Sequence, residues 1–267
     1  MSGLTAARAA EVRERFGTPA YVYERAVLES AARAALAFPV PFGFTLRYAM
    51  KANPSHGILA IFRGLGLHVD ASSDHEVERA LRAGFTPAQI QLTSQMPSRR
   101  LEEFLKQGVL FNACSLRQLE MVGALAPGGE VSVRMNAGLG SGSTNRTNTG
   151  GPASSFGVWH EYLGDVKTIA DTYGLRITRL HSHIGSGTDP EVWKRVTRMT
   201  LDLVAKLPEV TTINLGGGFK VGRMPGEATT DLQDVGDHVR RELEASTCSP
   251  SSRKSVRIPW LGLAFIA

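Results

Sequence analysis

Cysteine is almost missing from this chain. Cys114 and Cys248 are the only two in 267 residues, too few for a disulfide framework or a cysteine-built zinc site. Nor is there a run of about 18 apolar residues, so no segment reads as a membrane-spanning helix. The opening stretch Met1-Ser2-Gly3-Leu4-Thr5-Ala6-Ala7-Arg8 lacks the apolar core of a secretory signal, which leaves a reducing cytoplasm as the expected location. A dominant charge of one sign is missing too. The net charge is +5, but Arg253, Lys254 and Arg257, with no acid anywhere in 246–267, account for +3 of it. Residues 1–245 carry the remaining +2 with acids and bases interspersed. With aromatics at 7% and no basic face interleaved with them, nucleic acid is not an expected partner.

What is present is ordinary globular material, 42% apolar and 21% charged, enough for one large α/β domain or two smaller ones. Short β-like runs alternate with amphipathic segments. Strands are expected at Thr45–Ala49, Leu67–Ala71, Ile90–Leu92, Leu110–Ala113, Val131–Met135, Arg179–His183 and Thr211–Leu215. Helices are expected at 55–64, 74–83, 97–106, 115–125, 160–173, 189–206 and 231–244. The clearest is 189–206. Asp189 can cap it, Pro190 suits its first turn, and Val192, Val196, Met199, Leu203 and Leu207 form one apolar stripe.

Seven consecutive βα units predict a parallel sheet covered by helices, either a (β/α)8 barrel or an open doubly wound sheet. The barrel is preferred because polar and glycine-rich residues fall just after the strands, at the end where barrels keep their sites. It is expected to be incomplete, with about seven units, since no eighth run follows. Ala20–Tyr23 reads as a further short strand with no partner in that scheme. Residues 136–153 are rich in Gly, Ser, Thr and Asn, a loop long enough to suggest a function. Its Gly138-Leu139-Gly140-Ser141-Gly142 does not have the dinucleotide-binding spacing.

Four stretches could carry chemistry. In Tyr48-Ala49-Met50-Lys51-Ala52-Asn53-Pro54 a lysine closes an apolar strand. In a barrel mouth Lys51 would be a desolvated amine nucleophile; on a surface, a snorkelling side chain. In His181-Ser182-His183-Ile184-Gly185-Ser186-Gly187, alternation puts both histidines on one face. They read as core residues or as the flank of an anion site at the Gly-Ser-Gly turn; a metal is not expected, because no third ligand follows. Asn214-Leu215-Gly216-Gly217-Gly218-Phe219 is either a flexible turn or a phosphate cradle, and its place after the seventh run favours the cradle. Arg134 ends Val131-Ser132-Val133-Arg134 and would meet either an oxyanion or a structural acid. An amine, a phosphate cradle, a histidine and an arginine together suit pyridoxal 5′-phosphate.

With the run Leu67-His68-Val69-Asp70-Ala71-Ser72-Ser73, which leads into a helix containing Glu76, these stretches resemble the fold-type III pyridoxal-phosphate-dependent decarboxylases, most closely the diaminopimelate decarboxylases. The resemblance runs from about residue 16 to residue 245. It implies a (β/α)8 TIM-type barrel of the alanine racemase and decarboxylase kind, with the cofactor held by Lys51, Asp70, Arg134, His183, Ser186, Gly216, Gly217 and Gly218. Lys51 would condense with the cofactor aldehyde and His183 would stack on its ring; these two are the catalytic candidates. Arg134 would lie near the phenolic oxygen, Asp70 would support the lysine end, and His181 has no clear role. The implied activity is decarboxylation of meso-2,6-diaminopimelate to L-lysine by a homodimer. Ornithine, arginine or carboxynorspermidine are the alternative substrates, and a non-catalytic cofactor-binding barrel is the alternative class.

The family's second, β-rich domain has no counterpart in the pattern, which holds neither a Glu-Pro-Gly-Arg-like nor a Cys-Glu-Ser segment. After Ala245 the composition changes abruptly to Ser-, Arg- and Pro-rich sequence without acids. The expected organisation is therefore a segment 1–26 whose strand belongs with that second domain, a cofactor-binding barrel 27–245, and a tail 246–267 outside the family pattern, disordered or frame-shifted. On that reading the chain is a truncated form that folds poorly, dimerises doubtfully and is weakly active or inactive.

Overall fold

The computed structural model describes residues 4–40, 43–141, 149–187, 189–222, 224, 226–247 and 262–263. Two helices, α1 (Ala6–Phe16) and α2 (Arg25–Leu36), precede the first strand. The sheet and its crossovers then run β1 (Arg47–Ala49), α3 (His56–Gly64), β2 (His68–Ala71), α4 (Asp74–Arg82), β3 (Ile90–Leu92), α5 (Leu101–Gln107), β4 (Leu110–Ala113), α6 (Leu116–Leu125) and β5 (Glu130–Asn136). They continue as β6 (Val158–Trp159), α7 (Leu163–Tyr173), β7 (Arg176–His181), α8 (Pro190–Val204), β8 (Thr212–Asn214), α9 (Leu232–Thr247) and β9 (Gly262–Leu263). All pairings are parallel, in the order β8-β7-β5-β4-β3-β2-β1-β9, with β6 attached to β5. Parallel neighbours need a crossover that returns the chain to the same edge, and the helices supply it. The result is the curled, incomplete (β/α)8 barrel of about seven units that the alternation predicts, with the two-residue β9 beside β1.

The strands β1, β3, β4, β5, β7 and β8 bury two faces of different chemistry. Tyr48, Val69, Ala71, Ile90, Leu92, Phe111, Val131, Val133, Leu180 and Ile213 join Leu59, Phe62, Phe104, Leu119 and Val196 of the helices in one apolar core. The alternate positions, Arg47, Gln91, Asn112, Ser132, Arg134, His181 and Asn214, are buried and polar. Barrel interiors are usually filled by branched aliphatic side chains; this one holds a hydrogen-bonded layer. The Ser132 hydroxyl donates to Asn112 Oδ1 at 2.7 Å, and Asn112 Nδ2 donates to His181 Nδ1 at 2.7 Å. Gln91 Nε2 donates to Thr93 Oγ1 at 3.2 Å, and Thr93 donates in turn to Asp70 Oδ1 at 2.7 Å.

Helix starts fix the strand ends above that layer. Ser73 caps α4 by accepting from Glu76 N, and the Glu76 carboxylate reaches back to Ser72 N at 2.7 Å. Ser115 and Gln118 repeat the arrangement on α6, where Gln118 Oε1 accepts from Cys114 N at 2.7 Å. Asp189 caps α8 with Pro190 in its first turn, as the spacing predicts. Elsewhere the boundaries move. α5 begins at Leu101 rather than 97, because Ser98 accepts from Arg100 N and holds the preceding backbone in a turn. β7 ends at His181, leaving His183 in the turn beyond it, and residues 20–23 belong to no strand. Among the described residues no helix is long and apolar enough to cross a membrane.

Candidate active site

A cavity of about 390 Å³ opens where the strands end. Lys51, Asp70, Arg134, His183, Ser186, Gly216, Gly217 and Gly218 all line it, brought together from the ends of β1, β2, β5, β7 and β8. His181 lines it as well, from the last position of β7. Sequence reasoning named none of Ser72, Thr93, Ser94, Gln95 and Phe156 as site residues, yet they complete the wall together with Cys114. The strand parity of Ser72 and Thr93, each two residues beyond an inward-facing position, is the signal that could have found them.

Lys51 does not close a strand. It sits in a 3₁₀ turn, Met50–Ala52, and its side chain is exposed at the mouth, so burial is not what makes its amine available. Of the two readings left by the sequence, a desolvated amine in the mouth and an exposed side chain, the structure keeps the place at the mouth from the first and the exposure from the second. The turn is held from both sides, with Tyr48 Oη donating to Asn53 O and Asn53 Nδ2 donating to Tyr23 Oη at 2.8 Å. The lysine's charge is still felt inside. It opposes the effect of burial on Asp70, which is pushed up to about 7 despite the Thr93 hydroxyl and the Arg47 and Lys51 charges. Glu76 is also raised by burial, against its bond from Ser72 N–H and the Lys51 charge.

Arg134 is 7% exposed. Its guanidinium donates to Thr149 O at 3.3 Å and lies over the Phe156 ring, 5.1 Å from the centroid. No described carboxylate forms an ion pair with it. Of the two alternatives left by the sequence, a structural acid is therefore not what it meets. A buried cation facing a cavity without a counter-ion is costly, and an anionic ligand would offset that cost.

Burial, the Arg134 charge and the Lys51 charge hold both His181 and His183 well below the usual imidazole range, so both rings are neutral near pH 7. Gly217 N–H donates to His183 Nδ1 at 3.1 Å, which puts the ring proton on Nε2. His181 Nδ1 likewise accepts, from Asn112. Cys114 is a neutral thiol here, since burial pushes it up to about 11.

The glycine turns leave no room for side chains. Gly216 (φ +69°) and Gly218 (φ +86°) are left-handed, and a Cβ would run into the His183 ring at the first and the Gly185 carbonyl at the second. Most of the local N–H groups are spent inside the turns. Gly216 N donates to Asn214 Oδ1, Gly217 N to His183, Ser186 N to Ser141 O and Gly187 N to Gly218 O. The Ser186 hydroxyl and the Gly218 N–H remain without a partner among the described residues. The site thus combines an exposed amine, a neutral Nε2–H imidazole, a buried guanidinium with no ion-pair partner among the described residues and a donor-lined glycine cradle. That donor set fits a planar aldehyde carrying a phosphate.

Over residues 24–258, past the change of composition at Ala245, the chain matches the family described as pyridoxal-dependent decarboxylase, pyridoxal binding domain. It is 35% identical over 252 residues to a diaminopimelate decarboxylase of Streptomyces coelicolor, covering 91% of this chain and 56% of the relative. It is 31% identical over 236 residues to the Escherichia coli K12 diaminopimelate decarboxylase, covering 86% of this chain and 55% of that one. A crystal structure of a diaminopimelate decarboxylase superposes with a TM-score of 0.85 at 28% identity, over 97% of this chain and 61% of that one. The chain therefore spans little more than half the length of the relatives it matches.

Proposed function

The chain belongs to the pyridoxal-dependent decarboxylases, spanning their pyridoxal-binding domain, and on that premise we propose that it is a cytoplasmic carboxy-lyase that releases carbon dioxide from meso-2,6-diaminopimelate to give L-lysine. The observation that carries this reading is the convergence of eight expected residues from five separate strand ends on one cavity of about 390 Å³.

Pyridoxal phosphate, when bound, supplies an electron sink for the carbanion left by a departing carboxylate. The chain's own residues do the rest. Lys51 presents the amine that anchors the cofactor, on a turn braced by Tyr48 and Asn53. His183 offers a flat neutral ring whose orientation is locked by Gly217 N–H. The Ser186 hydroxyl and Gly218 N–H would hold the phosphate, while Gly216 and Gly217 shape the turn and orient His183, their N–H groups being taken within it. Arg134 neutralises an anionic oxygen in the buried wall, and Asp70, with its raised affinity for a proton, holds or releases one beside Lys51.

Incubation with the cofactor, borohydride reduction and peptide mapping test the reading. The expected result is the cofactor's mass on the peptide containing Lys51, lost in Lys51→Ala. Label spread over surface lysines overturns it. Carbon dioxide release from diaminopimelate, compared with ornithine and arginine, then decides the substrate.

A further inference from the structure

Beneath the two glycine turns lies a residue that lines no part of the cavity. Thr230 is 4% exposed and makes three short contacts. Its hydroxyl donates to Gly187 O at 3.0 Å and accepts from Lys220 N at 3.1 Å. Its backbone N–H donates to Lys220 O at 2.9 Å. The hydroxyl donates its one proton to Gly187 O while accepting from the Lys220 N–H, which is shared between Thr230 Oγ1 and Gly187 O.

The atoms it holds are those that join the turns. Gly187 N donates to Gly218 O at 3.0 Å, and Gly187 bridges to Phe219. The Gly187 peptide is thus gripped at its N–H by the second turn and at its carbonyl by Thr230 and by Lys220 N, 3.1 Å away. From the other side Ser141 closes in. A Cβ on Gly187 would lie 2.6 Å from Ser141 Oγ. Behind the pair, Phe219 stacks on the buried Trp193 at 4.7 Å and 10°. The next residue, Asp231, accepts from Gln233 N at 2.8 Å, so the start of α9 is tied to the same point.

We infer that Thr230 is a positioning residue that sets the spacing of the two phosphate donors, the Ser186 hydroxyl and the Gly218 N–H. Ser186 precedes Gly187 in the chain, and the Gly218 carbonyl accepts from Gly187 N, so the Gly187 junction fixes the distance between them. The inference rests on the phosphate reading of the glycine cradle given above. Without the hydroxyl, Gly187 O loses one of its two donors and the turns part more easily. The loss falls on whatever binds both donors at once, which is a phosphoryl group, and spares contacts made at Lys51 and His183.

The test compares the full chain with Thr230→Val, which keeps the shape, and Thr230→Ser, which keeps the hydroxyl. Binding of pyridoxal 5′-phosphate, pyridoxal and inorganic phosphate is titrated for each. Thr230→Val is expected to weaken pyridoxal 5′-phosphate and inorganic phosphate by roughly tenfold, about what losing one or two net hydrogen bonds implies. Pyridoxal binding stays unchanged, and Thr230→Ser restores the phosphate affinities. Equal losses for pyridoxal and its phosphate, or no loss for either, overturn the inference. Should the wild-type chain bind inorganic phosphate but neither pyridoxal form, the cofactor reading falls and the inorganic phosphate titration of Thr230→Val alone decides the clasp. A wild-type chain that binds no phosphate in any form sinks both.

Discussion

Gly218 and Arg134 show how much of the site is decided by single residues. At Gly218 a methyl group would need both a left-handed backbone and the space of the Gly185 carbonyl. Gly226 has nearly the same φ, +85°, but nothing within 4 Å. Gly226→Ala is therefore expected to cost only the backbone strain of about 1–2 kcal/mol, whereas Gly218→Ala should also abolish measurable cofactor binding in an absorbance titration. Arg134 gives the opposite pattern. As a buried charge without an ion-pair partner it burdens the free protein, so Arg134→Met should leave the melting temperature of the unliganded chain unchanged or higher. The same variant should lose most of the stabilisation that added cofactor confers. A melting temperature that drops without ligand would show that the bond to Thr149 O and the packing on Phe156 outweigh the cost of burying the charge. Both residues could be picked out from the sequence. What could not be read there is the role of Gly216 and Gly217, whose N–H groups are taken by Asn214 and His183.

At the scale of elements, short polar contacts at the helix starts tie the wall together. Gln118 on α6 accepts from Cys114 N at 2.7 Å and donates to Ser94 O at 2.8 Å, joining the ends of β4 and β3. Gln118→Leu strands a buried donor and a buried acceptor and should cost about 2–6 kcal/mol in urea unfolding. Ser73→Ala, which removes only the α4 cap, should cost about 1 kcal/mol. Equal costs would mean that Gln118 is merely a cap residue. The strong helices, α4, α6 and α8, were legible because cap, stripe and length agree. The start of α5 was not, since Pro97 and Ser98 resemble a helix start while the Ser98 hydroxyl bonds Arg100 N in a turn. β9 is two residues long and carries no period at all.

For the whole molecule, the polar layer inside the curl ties stability to pH. His181 and His183 are held neutral in the folded state by burial, and His68 is lowered to about 4. Their contribution is present above the unfolded imidazole value of about 6.5 and is lost as pH falls below it. Asp70 works in the other sense. Its folded value is raised to about 7, so its contribution is greatest in acid and is lost as pH rises from about 4 to about 7. Wild-type stability at pH 8 relative to pH 5 is thus the histidine gain less the Asp70 loss. Asp70→Asn removes the second part. Urea unfolding at both pH values should show a larger difference for Asp70→Asn than for the wild type; an equal or smaller difference would contradict the placement of Asp70 in the polar layer.

The alternation of apolar runs, the caps and the glycine clusters determined by themselves that the sheet would be parallel, that its sites would lie at the strand ends, and that Lys51, Arg134, the 181–187 run and Gly216–Gly218 were candidates, while the family resemblance added Asp70 and gave the eight their roles. These are local signals, written within a few residues of each position. Tertiary structure alone decided the rest. The exposure of Lys51 depends on a turn braced by Tyr23, which is distant in sequence. The polar interior emerges only when seven strands turn their alternate residues toward one another, pairing Asn112 with His181 across 69 positions. The junction at Gly187 needs Gly218, Lys220 and Thr230 folded against it. Hydrogen bonds between residues so far apart have no period and leave no trace in composition, so only the folded chain reveals them.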